Sequence, residues 1–222
     1  MPKKLGLDQF VGLAAAVVAR LPRDLDPDIA QRWTEGDGQV ALHDALDLAL
    51  RNGPPLPVDP NAWVDTFDLT QVKLRYFDLV IDPTQTIEQG VTAGEYNYVH
   101  PAHTTAVFGV HQKITGAKPV NVRVKAFCIG RNATREQAIR LRARLNLGAT
   151  CIQHELALGA QHKNAQRDLN WIVNPDDVVL VDGNQYVSYL NGNPDDRRLY
   201  LSSAGGEWGG DTWFLGLASE PA

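Results

Sequence analysis

Between Val178 and Leu217 four short apolar runs follow one another: VVLV at 178–181, YVSYL at 186–190, RLYL at 198–201 and WFLGL at 213–217. Turn formers separate them, namely Asp182-Gly183-Asn184, Asn191-Gly192-Asn193-Pro194, Ala204-Gly205-Gly206 and Gly209-Gly210-Asp211. Gly and Asn reach positive φ cheaply and Pro removes a strand donor, so these clusters predict chain reversals between strands. The runs are too short and too close for parallel crossovers, which predicts an antiparallel meander of four strands. Alternation along it turns Leu190, Leu199, Leu201, Phe214 and Leu217 inward.

The segments upstream supply the rest of an α+β domain. Residues 1–53 predict three short helices, the second opened by Asp26-Pro27 and the third striped by Leu42, Leu46 and Leu50. Prolines 54, 55, 57 and 60 make 54–62 a stiff linker, leaving 63–222 as the main domain. Alternation predicts strands at 72–81 and 120–128, and an apolar run predicts another at 106–114; 83–103 reads as a long loop. Two capping boxes, Thr134 with Gln137 and Thr150 with Gln153, predict consecutive helices before the meander, with a weaker helical turn over 166–171. The N-terminal helices could dock on the main domain or drive homo-oligomerisation.

Charge and cysteine content narrow the functional classes. A net charge of −5 in 222 residues argues against a general nucleic-acid binder, which needs a basic face. Arg131, Arg135, Arg140, Arg142 and Arg144 cluster locally, but on a helix they point in several directions. Cys128 and Cys151 form no metal pair and are expected as two buried thiols. Lys3-Lys4 before the apolar run 10–19 has some character of an export signal; the same residues make an amphipathic helix, and a cytoplasmic location is favoured. No run approaches the ~20 apolar residues of a membrane span.

No phosphate loop, dinucleotide fingerprint, nucleophile elbow or HExxH is present. The histidines His100, His103, His111, His154 and His162 are candidate metal ligands, but His154 and His162, eight apart, stand roughly 12 Å apart along a helix, too far to share an ion. No metal or other cofactor is expected. Asp176-Asp177 and Asp195-Asp196 read as turn acids. The class-different alternative is a metal-dependent enzyme using His100, His103 and Glu155.

The order of two helices and a late meander, with the segment Ala149-Thr150-Cys151-Ile152-Gln153-His154-Glu155-Leu156-Ala157, resembles the compact C-type-lectin fold. Formylglycine-generating-type domains and the variable proteins of diversity-generating retroelements belong to that branch. Thr150, Glu155 and Ala157 match its second-helix motif, while Ala149, Gln153 and His154 stand at its Pro, Glu and Trp positions. The cysteine chemistry of the formylglycine-generating enzymes does not carry over to Cys128 and Cys151. About residues 105–218 are also similar to proteins of uncultured small-genome bacteria that end in patterns like Tyr186-Val-x-Tyr189-Leu190 and Trp213-Phe-Leu-Gly-Leu217, with Trp213 at their usual Arg.

That resemblance implies a non-enzymatic binding protein for a protein or other macromolecular ligand. Its display surface would comprise Tyr186, Tyr189, Tyr200, Ser202, Ser203, Glu207, Trp208, Asp211 and Trp213. Of the 32 residues from Asp182 to Trp213, 19 are Asn, Asp, Gly, Ser or Tyr. This composition suits an adaptable, diversified binding surface and equally suits the turns of a meander.

Overall fold

The computed structural model describes residues 59–218. The chain divides into two units, 1–59 and 60–222, so the three-helix reading of 1–53, the export question and most of the linker lie outside the described residues. The second unit is a mixed α+β domain built on a large, mostly antiparallel sheet.

In chain order the elements are α1 (Ala62–Thr66), β1 (Lys73–Ile81), α2 (Ile87–Gly94), β2 (Tyr98–Val99), α3 (Thr105–Phe108), β3 (Val120–Cys128), β4 (Ala133–Thr134), α4 (Arg135–Arg144) and β5 (Leu147–Gly148). Then follow α5 (Ile152–Gln161), α6 (Lys163–Leu169), β6 (Trp171–Val181), β7 (Asn184–Gly192), β8 (Arg197–Ser203), β9 (Glu207–Trp208) and β10 (Trp213–Ala218). The strand order is β1-β3-β10-β6-β7-β8-β2, with β5 beside β10. Two pairs are parallel, β10 with β6 and β2 with β8. β4 and β9 form a separate two-stranded ladder.

The expected meander is therefore real for three strands and fails for the fourth. β6, β7 and β8 are consecutive antiparallel neighbours. β10 instead lies between β3 and β6, antiparallel to one and parallel to the other. The connection 204–212 makes this possible by passing over one face of the sheet, where β9 pairs with β4 and Trp208 packs edge-on against Phe214. A local reading of turn lengths sees a reversal there; long-range pairing with β3 decides otherwise.

The sheet is covered on both faces. Helices α2, α5 and α6 bury Ile87, Ile152, Leu158, Ala165 and Leu169 against Leu79, Val124, Ile172, Leu190, Leu199 and Leu215. On the opposite face α1, α4 and the 204–208 segment bury Val64, Ala138, Leu141 and Trp208 against Phe127, Val173, Val187, Tyr189 and Phe214. Each side contributes alternate residues of the same strands, as the two-residue period of a strand requires. Leu190, Leu199, Leu201 and Phe214 are buried as alternation predicts, and Leu217 is half-buried against the first core.

Two further expectations are corrected. The run 106–114 is not a strand: it forms α3 and a 3₁₀ turn at Gly109–His111. Glu88 explains the start of α3, since the backbone N–H and Oγ1 of Thr105 donate to its carboxylate at 2.7 and 2.6 Å, a cap supplied from a distant helix. The stretch 83–103 is not a plain loop, for Thr86 and Gln89 form a capping box that opens α2. The Thr134–Gln137 box forms as expected, whereas at α5 the cap is Cys151 with His154, one residue later than expected. The weak turn at 166–171 ends at Leu169, and Trp171 begins β6.

Candidate functional site

Four aromatic rings stand side by side on the second face of the sheet, one from each of four neighbouring strands. Trp171 on β6 stacks on Tyr189 of β7 with centroids 4.9 Å apart, and Tyr189 lies 5.9 Å from Tyr200 of β8. Tyr200 then stacks on Tyr98 of β2 at 5.0 Å, with the His100 ring edge-on to it at 5.7 Å. The ladder fixes this register, since Tyr189 and Tyr200 are direct cross-strand partners and Tyr98 sits opposite Arg198. From Tyr189 outward the exposure rises, from 8% there to 41% at Tyr98. Burial of Tyr189 and the neighbouring Tyr200 raises the pKa of the Tyr189 phenol.

The sequence-predicted display residues divide between faces. Tyr189, Tyr200 and Ser202 share the aromatic face with exposed Arg198, which pairs with Asp196. Tyr186 and Trp213 instead pack against the first core, and Ser203 lies opposite Tyr186. Trp208 is buried, so its display role is corrected: it seals the second core. Glu207 and Asp211 are exposed on the crossing segment, apart from the row. Tyr98, His100 and Trp171, which the display reading did not include, complete the row; the sequence signal for Tyr98 and Trp171 is their aromatic character, and His100 enters the sequence reading only as a metal-ligand candidate.

A second constellation is internal. His103, Ser188 and Glu155, the latter two fully buried, form a chain in which Ser188 Oγ lies 2.9 Å from His103 Nε2 and 2.8 Å from Glu155 Oε1. His103 Nδ1 faces the His100 carbonyl at 3.1 Å, so that nitrogen carries a proton. Burial pushes the His103 imidazole down to about 4 and the Glu155 carboxyl up to about 8. The neutral state is then self-consistent: protonated Glu155 donates to Ser188, Ser188 donates to Nε2, and Nδ1–H donates to the carbonyl. Moving the protons along the chain gives the alternative, imidazolium with carboxylate, which burial disfavours at both ends.

The strand bulge beside Ser188 adds further polar groups. Register shifts between Val173 and Val178, so residues 174–177 of β6 leave the ladder. Pro175, which has no N–H to give, sits at its centre. Asn174 donates to Asp177 at 3.2 Å and accepts from Thr150 Oγ1 at 3.0 Å. Asp177, fully buried, has His111 and Lys113 at 3.4 Å, and desolvation nonetheless raises its pKa. Asp176 pairs with Arg142 and accepts from Thr150 N–H. The reading of Asp176-Asp177 as turn acids is therefore wrong: they anchor β6 to α4 and to the 111–113 segment.

The arginine cluster is likewise engaged internally. Arg135 donates to the Pro175 carbonyl at 2.6 Å, Arg144 donates to the Val64 and Phe67 carbonyls, and Arg131 lies over the Trp63 ring. Cys128 and Cys151 are free and buried, and burial pushes the Cys151 thiol up. Among the described residues no three His, Cys, Asp or Glu side chains are placed to hold one metal ion. His103 and Glu155 meet through Ser188 rather than at a common point, and His154 and His162 lie at opposite ends of α5.

Compared with known proteins, the chain matches no family model, no curated protein and no solved structure. The class that its architecture defines is an α+β domain on a mostly antiparallel sheet, with an aromatic row running out to one edge.

Proposed function

We propose that this domain is a non-enzymatic ligand-binding module on a C-type-lectin-like scaffold, and that Tyr98, His100 and Tyr200, flanked by Arg198 and Ser202, form its contact surface. One observation supports the reading above others: the rings are held in file by backbone ladders, so an exposed aromatic surface is presented with little side-chain freedom left to lose. Tyr, Trp and Arg are the residues that most often dominate binding energies. The surface fits a protein or other macromolecule offering a flat apolar or ring group, with a hydrogen-bonding or anionic group for Arg198. The turn residues 193–196, 204–206 and 209–212 lie outside the ladders, where sequence can change without disturbing the row. That placement is compatible with a C-terminus diversified by a retroelement, which a near-copy of the gene's 3′ end differing at adenines would support.

Selection of displayed peptides and a glycan panel against the full chain provides ligands for the test. Tyr98→Ala and Tyr200→Ala are each expected to weaken the selected ligand about tenfold or more, a loss of ~1.4 kcal/mol. Ser203→Ala and Asp211→Ala, away from the row, should leave affinity unchanged. Ligands indifferent to both tyrosines would overturn the proposal.

A further inference from the structure

The two edges of the sheet are unlike. β2, at one end, is two residues long, whereas β1, at the other, runs nine residues in unbroken register with β3 and has no further strand beside it among the described residues. A long open edge presents unpaired N–H and C=O groups and is the commonest place for another strand to add.

Part of this edge is already filled by side chains that imitate a strand. Val80 N–H donates to Gln161 Oε1 at 3.0 Å, and Gln161 Nε2 donates back to the Val80 carbonyl at 2.6 Å. His162 Nε2 lies 2.9 Å from the Asp78 carbonyl and therefore donates to it. By the two-residue period, the outward groups of β1 belong to Leu74, Tyr76, Asp78 and Val80. Those of Leu74 and Tyr76 have no partner among the described residues. Alongside them runs a groove of about 680 Å³ between Arg75–Phe77 and the start of α6 at His162–Asn164.

We propose that this free half of β1 docks an extended acidic peptide of another protein as an added strand. Backbone pairing with Leu74 and Tyr76 supplies the attachment, in the manner the Gln161 amide already shows. Side chains supply the selectivity. On the groove side stand Arg75, His162 and Lys163, against the single acid Asp168; Lys163 also pairs with Glu95, and Arg75 has no partner among the described residues. On the other side Leu74 and Tyr76 are 36% and 57% exposed. An incoming strand with carboxylates on alternate positions and apolar residues between them satisfies both sides at once. This site lies at the far end of the sheet from the aromatic row and stands independently of it.

The test uses the full chain and a fluorescein-labelled peptide, Thr-Val-Glu-Val-Glu-Val-Thr, followed by fluorescence polarisation. Controls are the same peptide N-methylated at alternate residues, which cannot pair with an edge, and one with Lys in place of Glu. The Glu peptide is expected to bind, and N-methylation to weaken it at least tenfold. Tyr76→Pro removes one outward donor at an edge position where proline is tolerated, and should cost at least tenfold. Arg75→Glu leaves the backbone untouched and should invert the preference between the Glu and Lys peptides; it decides the matter if the proline variant fails to fold. The proposal is overturned if the Glu peptide binds no better than its N-methylated form. It is equally overturned if sedimentation shows a dimer that Tyr76→Pro dissolves, because the edge would then belong to a second copy of this chain.

Discussion

Glu155 shows how a single residue can be visible in sequence while its role is not. Its place in the Thr150–Ala157 segment singled it out, yet Ser188 lies in the middle of an ordinary-looking strand run and gave no sign that it would bridge Glu155 to His103. Partnership of residues 33 and 85 positions apart is a product of packing, which no local pattern encodes. The chain has a measurable consequence. Glu155 keeps its proton up to about 8 in the folded state, while the unfolded carboxyl releases it near ~4.3. The stabilisation is complete below the unfolded value and is lost as pH rises through the folded one. His103 and His154, held down to about 4 by burial, act in the opposite sense, and stability is lost as pH falls below ~6.5. Of these three groups only Glu155 acts above ~6.5, so urea titrations should show stability falling by up to ~1.4 kcal/mol per pH unit from there to about 8. Glu155→Gln keeps the shape and removes the charge, and should flatten that slope; an unchanged slope would place the titration elsewhere.

At the scale of elements, signals carried by a residue and its near neighbours were legible and those carried by tertiary contacts were not. Strands 73–81 and 120–128 and the Thr134 cap follow from alternation and from a capping box. The run 106–114 has the composition of a strand and becomes helical because Glu88, seventeen residues earlier, caps it. Bulge 174–177 looked like a turn, and its acids are instead turned to Arg142, His111 and Lys113. Close approach between α5 and α2 is a further feature that sequence did not announce. Tyr96 lies between Gly94 and Gly159, and a Cβ added at Gly159 would stand 1.9 Å from its hydroxyl oxygen. Alanine is worth ~1 kcal/mol more than glycine in a helix, but overpacking costs ~1–3 kcal/mol. The Tyr96 ring also lies beneath Arg197, itself bonded to the Gly94 and Gly159 carbonyls, and has little room to move. Gly159→Ala is therefore expected to lower stability by about 1–2 kcal/mol in urea unfolding; a stabilised variant would show that the ring yields.

For the whole molecule, the late apolar runs do build one platform, but by a route that turn spacing could not show. β10 closes the gap between β3 and β6, so the C-terminal strand ties the early pair β1–β3 to the meander β6–β7–β8. This arrangement commits Trp208 and Trp213 to packing and leaves the β8–β2 end of the second face to the tyrosines. Four of the nine anticipated display residues, Tyr186, Ser203, Trp208 and Trp213, thereby lie in the interior or on the other face, whereas Tyr98, His100 and Trp171 stand in the row. The most direct measurement is a backbone amide NMR titration of the full chain with a selected ligand. Shifts should concentrate at Tyr98, His100, Arg198, Tyr200 and Ser202. Shifts gathered instead on residues 205–211 or around Tyr186 and Trp213, with the tyrosine row silent, would contradict it.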